Sequence, residues 1–307
     1  MNIIHAGREL QTKGKKVCLA IGFFDGVHLG HQQIIRQTIQ HAQQHEAVAL
    51  IVSFDRHPNT VVAPDRAPPL IYSLEQKLAA IRSMGVDTLL LFHFDRAFSE
   101  QPAENFIRSL VKEIGRVQSI CIGTNFLFGH QRGGNLELLK QLGTELHFLV
   151  HGLAAVALDG KPVSSTRIRQ AVQTGELDAA SQMLGRAYSL AGTVMKGDGV
   201  GQKLGFPTAN LNVKGLVLPP NGVYAVHAKV EGKTRRAVAN IGIRPTLQNA
   251  NPEVQVEAHL LEFEGDLYGR FLELTFTEKL RDEKKFGSLA ELSAQIARDI
   301  HEAQLRF

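Results

Sequence analysis

The chain has 307 residues, 44% of them hydrophobic and 21% charged, with a formal net charge of +4. This composition supports about two ordinary domains and excludes global disorder, while an isoelectric point near 9.1 suits anionic ligands without demanding nucleic acid. Residues 1–16 carry no apolar signal core and no run reaches the length of a membrane span, so a soluble cytoplasmic protein without a membrane partner is expected.

From the N-terminus, strand-like runs fall at residues 17–24, 47–54, 88–94, 117–122 and 145–150, with helix-like runs at 32–45, 74–84, 103–114 and 136–142 between them. Such alternation predicts an α/β layer with a mostly parallel sheet. Ligands of such sheets sit beyond the carboxyl ends of the strands. The turn holding His28 and His31, the loop 53–59 and the loop 123–134 each follow a strand and would share that edge. Helical stretches at 166–175 and 177–184 close this half. Strand-like runs then crowd together at 188–195, 222–230, 235–243, 254–263 and 271–280, separated by Gly, Pro and Asn. That density predicts a small antiparallel barrel. A last amphipathic helix, 288–305, places Leu289, Leu292, Ile296 and Ile300 on one face. The boundary is placed near Gly185, giving domains 1–185 and 186–307. Cys18 and Cys121 lie inside apolar runs and read as buried free thiols of a reducing compartment.

The most chemical stretch is Gly22-Phe23-Phe24-Asp25-Gly26-Val27-His28-Leu29-Gly30-His31, where a strand becomes a helix. Unpaired N–H groups at a helix N-terminus attract phosphate, and imidazoles there can donate to phosphate oxygens. A helix-capping histidine explains an isolated match equally well. Ser164-Ser165-Thr166-Arg167-Ile168-Arg169 puts three hydroxyls and two arginines at the start of another helix. Hydroxyls and guanidinium groups grip phosphate, although plain N-capping accounts for the hydroxyls taken alone.

Together with Ser53-Phe54-Asp55-Arg56-His57-Pro58 and Asn125-Phe126-Leu127-Phe128-Gly129, these segments resemble the adenylyltransferase half of bacterial bifunctional riboflavin kinase/FAD synthetases, in the family's order and spacing. The resemblance implies a Rossmann-like nucleotidyltransferase fold and transfer of AMP from ATP to FMN. It implies that Gly22, Phe23, Asp25, Gly26, His28 and His31 hold ATP from one side, and Ser164, Ser165, Thr166 and Arg169 from the other. Phe54, His57, Pro58, Asn59, Asn125 and Phe128 would seat FMN. Two departures, Asp55-Arg56 in place of the usual Glu-Pro and His130 in place of lysine, touch the flavin loops rather than the phosphate positions. FMN already carries an ionised nucleophile, so alignment and charge stabilisation are the main demands.

The second half carries Gly197-Asp198-Gly199-Val200-Gly201-Gln202-Lys203-Leu204-Gly205-Phe206-Pro207-Thr208-Ala209-Asn210. A glycine-rich flap followed by a Pro-Thr-Ala-Asn turn can fold amides over phosphates, and is also compatible with a flexible hairpin. It lacks the Gly-Lys-Ser/Thr ending of a Walker loop. Thr208 and Asn210 offer neutral oxygens of the kind magnesium accepts. In Val254-Gln255-Val256-Glu257-Ala258-His259-Leu260, alternation puts Gln255, Glu257 and His259 on one strand face. Glu257 is either a solvated strand residue or a carboxylate base.

This half resembles riboflavin kinase through Leu204–Leu211, Pro220–Tyr224, Asn240–Thr246, Val256–Leu261 and Asp266–Gly269. The resemblance implies a closed β-barrel that phosphorylates riboflavin with MgATP. Gly197, Gly199, Gly201, Lys203 and Gly205 would contact the nucleotide. Thr208 and Asn210 would bind magnesium and phosphate, and Glu257 would be the base. Gln202 and Glu262 replace a usual arginine and aspartate. The segment Arg281–Phe286 is either a solvated charge run capping the last helix or, by the resemblance, a neighbour of the flavin site. The expected partners are ATP, riboflavin and FMN, with Mg2+ as cofactor. A monofunctional adenylyltransferase with a regulatory barrel is disfavoured by intact Thr208, Asn210 and Glu257. A nucleic-acid-binding barrel is disfavoured by the absence of Trp and of a basic-aromatic strip.

Overall fold

The computed structural model describes residues 1–243 and 254–307. The chain divides into two compact units, Met1–Leu70 with Leu74–Ser165, and Ile71–Ser73 with Thr166–Phe307. In chain order the first unit contains β1 (Asn2–Ile4), β2 (Val17–Ile21), α1 (Leu29–Gln44), β3 (Val48–Phe54), α2 (Asn59–Val62), α3 (Leu74–Arg82), β4 (Thr88–Phe92) and α4 (Arg96–Ser99). It continues with α5 (Ala103–Ile114), β5 (Val117–Gly123), α6 (Leu136–Leu146), β6 (Leu149–Leu153) and a short hairpin of β7 (Ala157–Leu158) and β8 (Lys161–Pro162).

Six strands form one sheet in the order β1-β4-β3-β2-β5-β6, and every pair is parallel. Every residue of β2 is buried, as an apolar strand covered on both faces requires. Leu19, Ile21, Leu50 and Val52 pack on one face with Phe106, Ile107 and Leu110 of α5 and Leu139 and Leu142 of α6. Ala20, Ile51, Leu89 and Leu91 pack on the other with Ile34 and Ile35 of α1 and Ile81 of α3. The buried positions of α5, from Ala103 through Phe106, Ile107 and Leu110 to Ile114, follow the three-and-four spacing of a helix stripe. From β2 the chain steps one way through β3 and β4, then returns to lay β5 on the other side of β2. That reversal is a topological switch point, and it opens a crevice beyond the ends of β2 and β5.

Two local expectations change. The strand expected over 145–150 lies at Leu149–Leu153, because α6 runs on to Leu146 and His147 turns the chain at φ 62°. Leu139 and Leu142 are buried at helical spacing, so the apolar stripe carries the helix further than the strand-like composition suggested. The polar N-terminus also supplies β1, whose three residues are too few to alternate visibly and gain their place by pairing with β4.

α7 (Ser165–Thr174) starts on the last residue of the first unit and runs into the second, which continues through α8 (Leu177–Leu184), β9 (Ser189–Met195), α9 (Val200–Lys203), β10 (Ala209–Leu211) and β11 (Gly222–Val230). β12 (Lys233–Ile243), β13 (Val254–Leu260), β14 (Phe271–Arg281) and α10 (Leu289–Gln304) complete it. Its strands close a barrel in the order β10-β13-β12-β11-β14-β9, with antiparallel pairing throughout. Small fully buried residues such as Ala225, Ala237 and Ala258 alternate with larger ones such as Leu272 and Leu274, the mixture that fills a narrow barrel. By contacts α7 and α8 group with the barrel; Ser181 Oγ of α8 accepts the Tyr188 N–H at 3.0 Å just before β9. The residues expected to make a Pro-Thr-Ala-Asn turn run directly into β10, so Asn210 stands on a strand.

On α10, Ser288 caps the helix by accepting the Glu291 N–H at 3.2 Å. Its apolar face begins later than expected: Leu289 is 63% exposed, while Asp299 and Ala303 are buried. Asp299 accepts two hydrogen bonds from Arg281, at 2.8 and 2.7 Å, so Arg281 docks the last helix and is not part of a solvated run. Cys18 and Cys121 are both buried and free, and burial pushes the Cys121 thiol up to about 11. Among the described residues no helix is long and apolar enough to cross a membrane.

Candidate active sites

The turn after β2 is tightly constrained. Phe24 and Val27 have φ of 57° and 42°, and Gly26 has φ of 71°. A β-branched residue at positive φ is held there only by its surroundings, and Phe24 and Val27 are 1% and 0% exposed. The strain aims the start of α1. His28 is its N-cap, with Nδ1 accepting the His31 N–H at 3.4 Å. That bond places the His28 ring proton on Nε2. The two imidazoles stack with centroids 3.6 Å apart, and Phe24 meets His31 edge-on at 5.3 Å. Asp25 is 3% and His28 6% exposed. Ser165 Oγ donates to the Asp25 carbonyl at 3.3 Å, so the first unit brings Ser165 to the same turn as His28 and His31, with Gly22 and Phe23 at its start. Ser164 precedes Ser165, and Thr166 and Arg169 lie in the first turns of α7.

Beside this turn a cavity of about 720 Å³ is lined by all six residues expected to seat FMN: Phe54, His57, Pro58, Asn59, Asn125 and Phe128. Phe23, Phe94, Phe98, Phe106 and Phe126 add aromatic wall, and Arg66, Arg96 and Arg132 add positive charge. Phe126 and Phe128 stack at 5.6 Å. The size is that of a small-molecule pocket, and the lining suits a flat aromatic ring system carrying an anion. Gly129 is required here, because with φ of 73° a Cβ at that position would lie 2.5 Å from Ala103 Cα.

Sequence reasoning missed two supports of this cavity. Lys77 of α3 is 3% exposed, and its Nζ donates to the carbonyls of Phe54 at 2.6 Å and Phe23 at 3.3 Å. Burial pushes its ammonium down to about 8, against the opposing pull of Asp25 and Asp55. Asp55 accepts the Phe94 N–H at 3.0 Å and meets His93 Nδ1 at 2.6 Å. These bonds and Arg56 hold its carboxyl below the usual range although burial works the other way. Asp55 therefore fastens the end of β3 to the end of β4. A lysine in an otherwise amphipathic helix gives no periodic signal that it points inward.

In the barrel, Glu257 on β13 pairs in register with Asn210 on β10 and with Asn240 on β12. The three side chains form a polar row across neighbouring strands. Thr208 Oγ1 donates to Glu257 Oε2 at 3.4 Å. The structure thus brings together Thr208, Asn210 and Glu257, and adds Asn240, which sequence reading quoted only as part of a motif. Arg244, Pro245 and Thr246 of that motif lie outside the described residues. His259 donates Nδ1–H to the Pro207 carbonyl at 2.8 Å, a supporting bond under the Thr208 turn. Gly197 passes so close to the Asn210 side chain that any Cβ would collide with it. Gly199, Lys203 and Gly205 are exposed and Gly201 is half-buried. Glu283 accepts from Asn221 Nδ2 at 3.1 Å and from the Ile243 N–H at 3.3 Å, fastening the end of β12.

The site can supply a carboxylate base beside hard oxygen donors. Among the described residues no group of three or more His, Cys, Asp or Glu is placed to hold a metal ion. The Thr208 hydroxyl and Asn210 amide, beside the Glu257 carboxylate, are donors that fit a magnesium ion otherwise satisfied by phosphate and water.

Comparison with known proteins finds a match for each half of the chain. A family model described as FAD synthetase matches residues 10–167, and one described as riboflavin kinase matches residues 184–307. A bifunctional riboflavin kinase/FMN adenylyltransferase of Escherichia coli strain K12 is 38% identical over 97% of this chain and 96% of its own. The protein of that description from Pseudomonas fluorescens is 35% identical over 99% and 97%. A crystal structure described as a macrolide-efflux protein from Streptococcus pneumoniae shares the fold, with a TM-score of 0.81 and 27% identity over 98% of each chain. On the strength of the two matched halves and of relatives alike along nearly their full length, the chain belongs to the family of bifunctional riboflavin kinase/FMN adenylyltransferases.

Proposed function

We propose that the barrel phosphorylates riboflavin to FMN and that the α/β unit adenylates FMN to FAD, with the functional division between residues 1–185 and 186–307. The observation that supports the reading most is the aromatic cavity, of a size for a flavin, whose wall includes Phe23 at the start of the turn leading to His28 and His31. Phe23 links the two, standing edge-on to His57 at 5.0 Å.

In adenylyl transfer an FMN phosphate oxygen attacks the α-phosphorus of ATP, and the bond to pyrophosphate breaks. His28 Nε2–H and the α1 N-terminal amides donate to the phosphate oxygens and hold the leaving group, with His31 stacked alongside. Gly22, Phe23, Asp25 and Gly26 shape the turn, and Ser164 and Ser165 contribute hydroxyls to phosphate. Phe54, Pro58 and Phe128 flank the isoalloxazine, while His57, Asn59 and Asn125 offer its polar edge hydrogen bonds. In the kinase reaction Glu257 takes the proton of the riboflavin 5′-hydroxyl as that oxygen attacks the γ-phosphorus and ADP departs. The flap of Gly197, Gly199, Gly201, Lys203 and Gly205 covers the phosphates. Mg2+, held by Thr208 and Asn210, would neutralise phosphate charge when bound.

The reading includes a cytoplasmic enzyme with ATP, riboflavin and FMN as its small-molecule partners. Its test is stoichiometry. Riboflavin and MgATP should yield FMN with one ADP, and FMN with MgATP should yield FAD with one pyrophosphate. Pyrophosphate release without FAD, or FMN formed without ADP, contradicts the reading.

A further inference from the structure

We propose that Lys77 is a positioning residue for adenylyl transfer, its ammonium tying the nucleotide turn after β2 to the flavin-cavity wall after β3 so that the two reacting groups stay in line. This rests on assigning adenylyl transfer to the α/β unit. Lys77 reaches from α3, which carries none of the residues assigned to either ligand. Its Nζ donates to Phe23 O, in the turn that leads to His28, and to Phe54 O, at the last residue of β3 before the loop carrying His57 to Asn59. It also lies 4.3 Å from the centroid of the Phe23 ring. Ser53 Oγ donates to the same Phe23 carbonyl at 3.2 Å, so the junction of the two loops converges on one backbone oxygen.

A buried ammonium is costly to desolvate. Carrying the charge here makes sense if the bridge itself is needed. The charged groups facing Lys77 are Asp25, from the turn after β2, and Asp55, after β3. Asp55 is shared with His93 and lies 3.5 Å from Arg56. These carboxylates keep the ammonium charged near neutrality while burial draws it down to about 8. Loss of its proton in mildly alkaline solution therefore weakens the donor that both loops depend on.

The test measures kcat and KM for FAD formation from FMN and MgATP across pH for the wild type, Lys77→Met and Lys77→Arg. Riboflavin phosphorylation by the same preparations reports on folding. Lys77→Met should lower kcat for FAD formation about 100-fold, the scale of a small misalignment, with KM little changed and riboflavin phosphorylation intact. Wild-type kcat/KM, which reports the free enzyme, should fall above about pH 8. Lys77→Arg stays charged throughout, so it should recover part of the rate and lose that alkaline limb. A Lys77→Met kcat within about twofold of wild type, well short of that misalignment loss, overturns the proposal. So does a wild-type profile that stays flat to about pH 9, or a limb that persists in Lys77→Arg. If Lys77→Met loses both activities through misfolding, the wild-type and Lys77→Arg profiles decide alone. A wild type that makes no FAD at any pH overturns the adenylyltransferase assignment as well, whereas FAD made with a flat profile overturns only the role of Lys77.

Discussion

In the α/β unit, Asp25, His28 and Lys77 are 3%, 6% and 3% exposed, and the turn that carries the histidines is held at positive φ by packed neighbours. In the barrel, residues 195–200 are all exposed, and Thr208, Asn210 and Glu257 are half-buried. The first set of residues is deeply buried, and the second lies nearer the surface. The difference follows the two reactions. An FMN phosphate is already a nucleophile, so a rigid frame that aligns two anions supplies most of what is needed. A riboflavin hydroxyl must lose a proton, and in the proposed reading the Glu257 carboxylate on the barrel takes it.

The comparison breaks most sharply at Glu257. Glu257→Gln should lower FMN formation from riboflavin by about 100- to 10,000-fold, the usual worth of a general base, while supplied FMN is still converted to FAD at the wild-type rate. Flavin chromatography after timed incubations reads both. The converse change, His28→Ala or His31→Ala, should lower FAD formation by about 100- to 1,000-fold and spare riboflavin phosphorylation. A larger loss in kcat than in KM would mark the histidines as serving the transition state rather than ground-state binding.

Stability sharpens the contrast further. Asp299→Ala leaves Arg281 without its bidentate partner at a site where Arg281 is only 16% exposed. The barrel should lose about 3 kcal/mol in denaturant unfolding, the lower end of the cost for breaking a buried pair. The smallest effect concerns the α/β unit. His41 on α1 and His151 on β6 meet at 4.1 Å, and burial lowers the pKa of both. His45 lowers His41 further, and His41 and His45 lower His151. A histidine with a lowered folded pKa binds fewer protons folded than unfolded, so its stabilisation is present above about 6.5 and is lost as pH falls below that. Thermal melts between neutral and mildly acidic pH should show that loss, and His151→Gln should shrink it.

Much of this was legible in the sequence because the chemistry sits in contiguous motifs at strand ends. The Gly22–His31 turn and the Thr208–Asn210 segment both announce themselves by residue type, and alternation in Val254–Leu260 correctly put Glu257 on the polar face. What stayed hidden depends on contacts distant in sequence. Lys77 meets Phe23 across 54 positions and Asn240 meets Glu257 across strands, and neither pairing leaves a local pattern. Asn210 lies on a strand of only three residues that owes its existence to pairing with β13 and β9. The exposure of Leu289 followed from the anchor of α10 being the polar Asp299, which a count of apolar residues passes over.

Two independent phosphate-handling centres on one polypeptide are the core of the account, and a single time course tests them most directly. With riboflavin and MgATP, the wild-type chain should show FMN rising first and FAD following, and Glu257→Gln should show neither product until FMN is added, when FAD appears. A folded Glu257→Gln protein that also fails to convert added FMN would contradict the account.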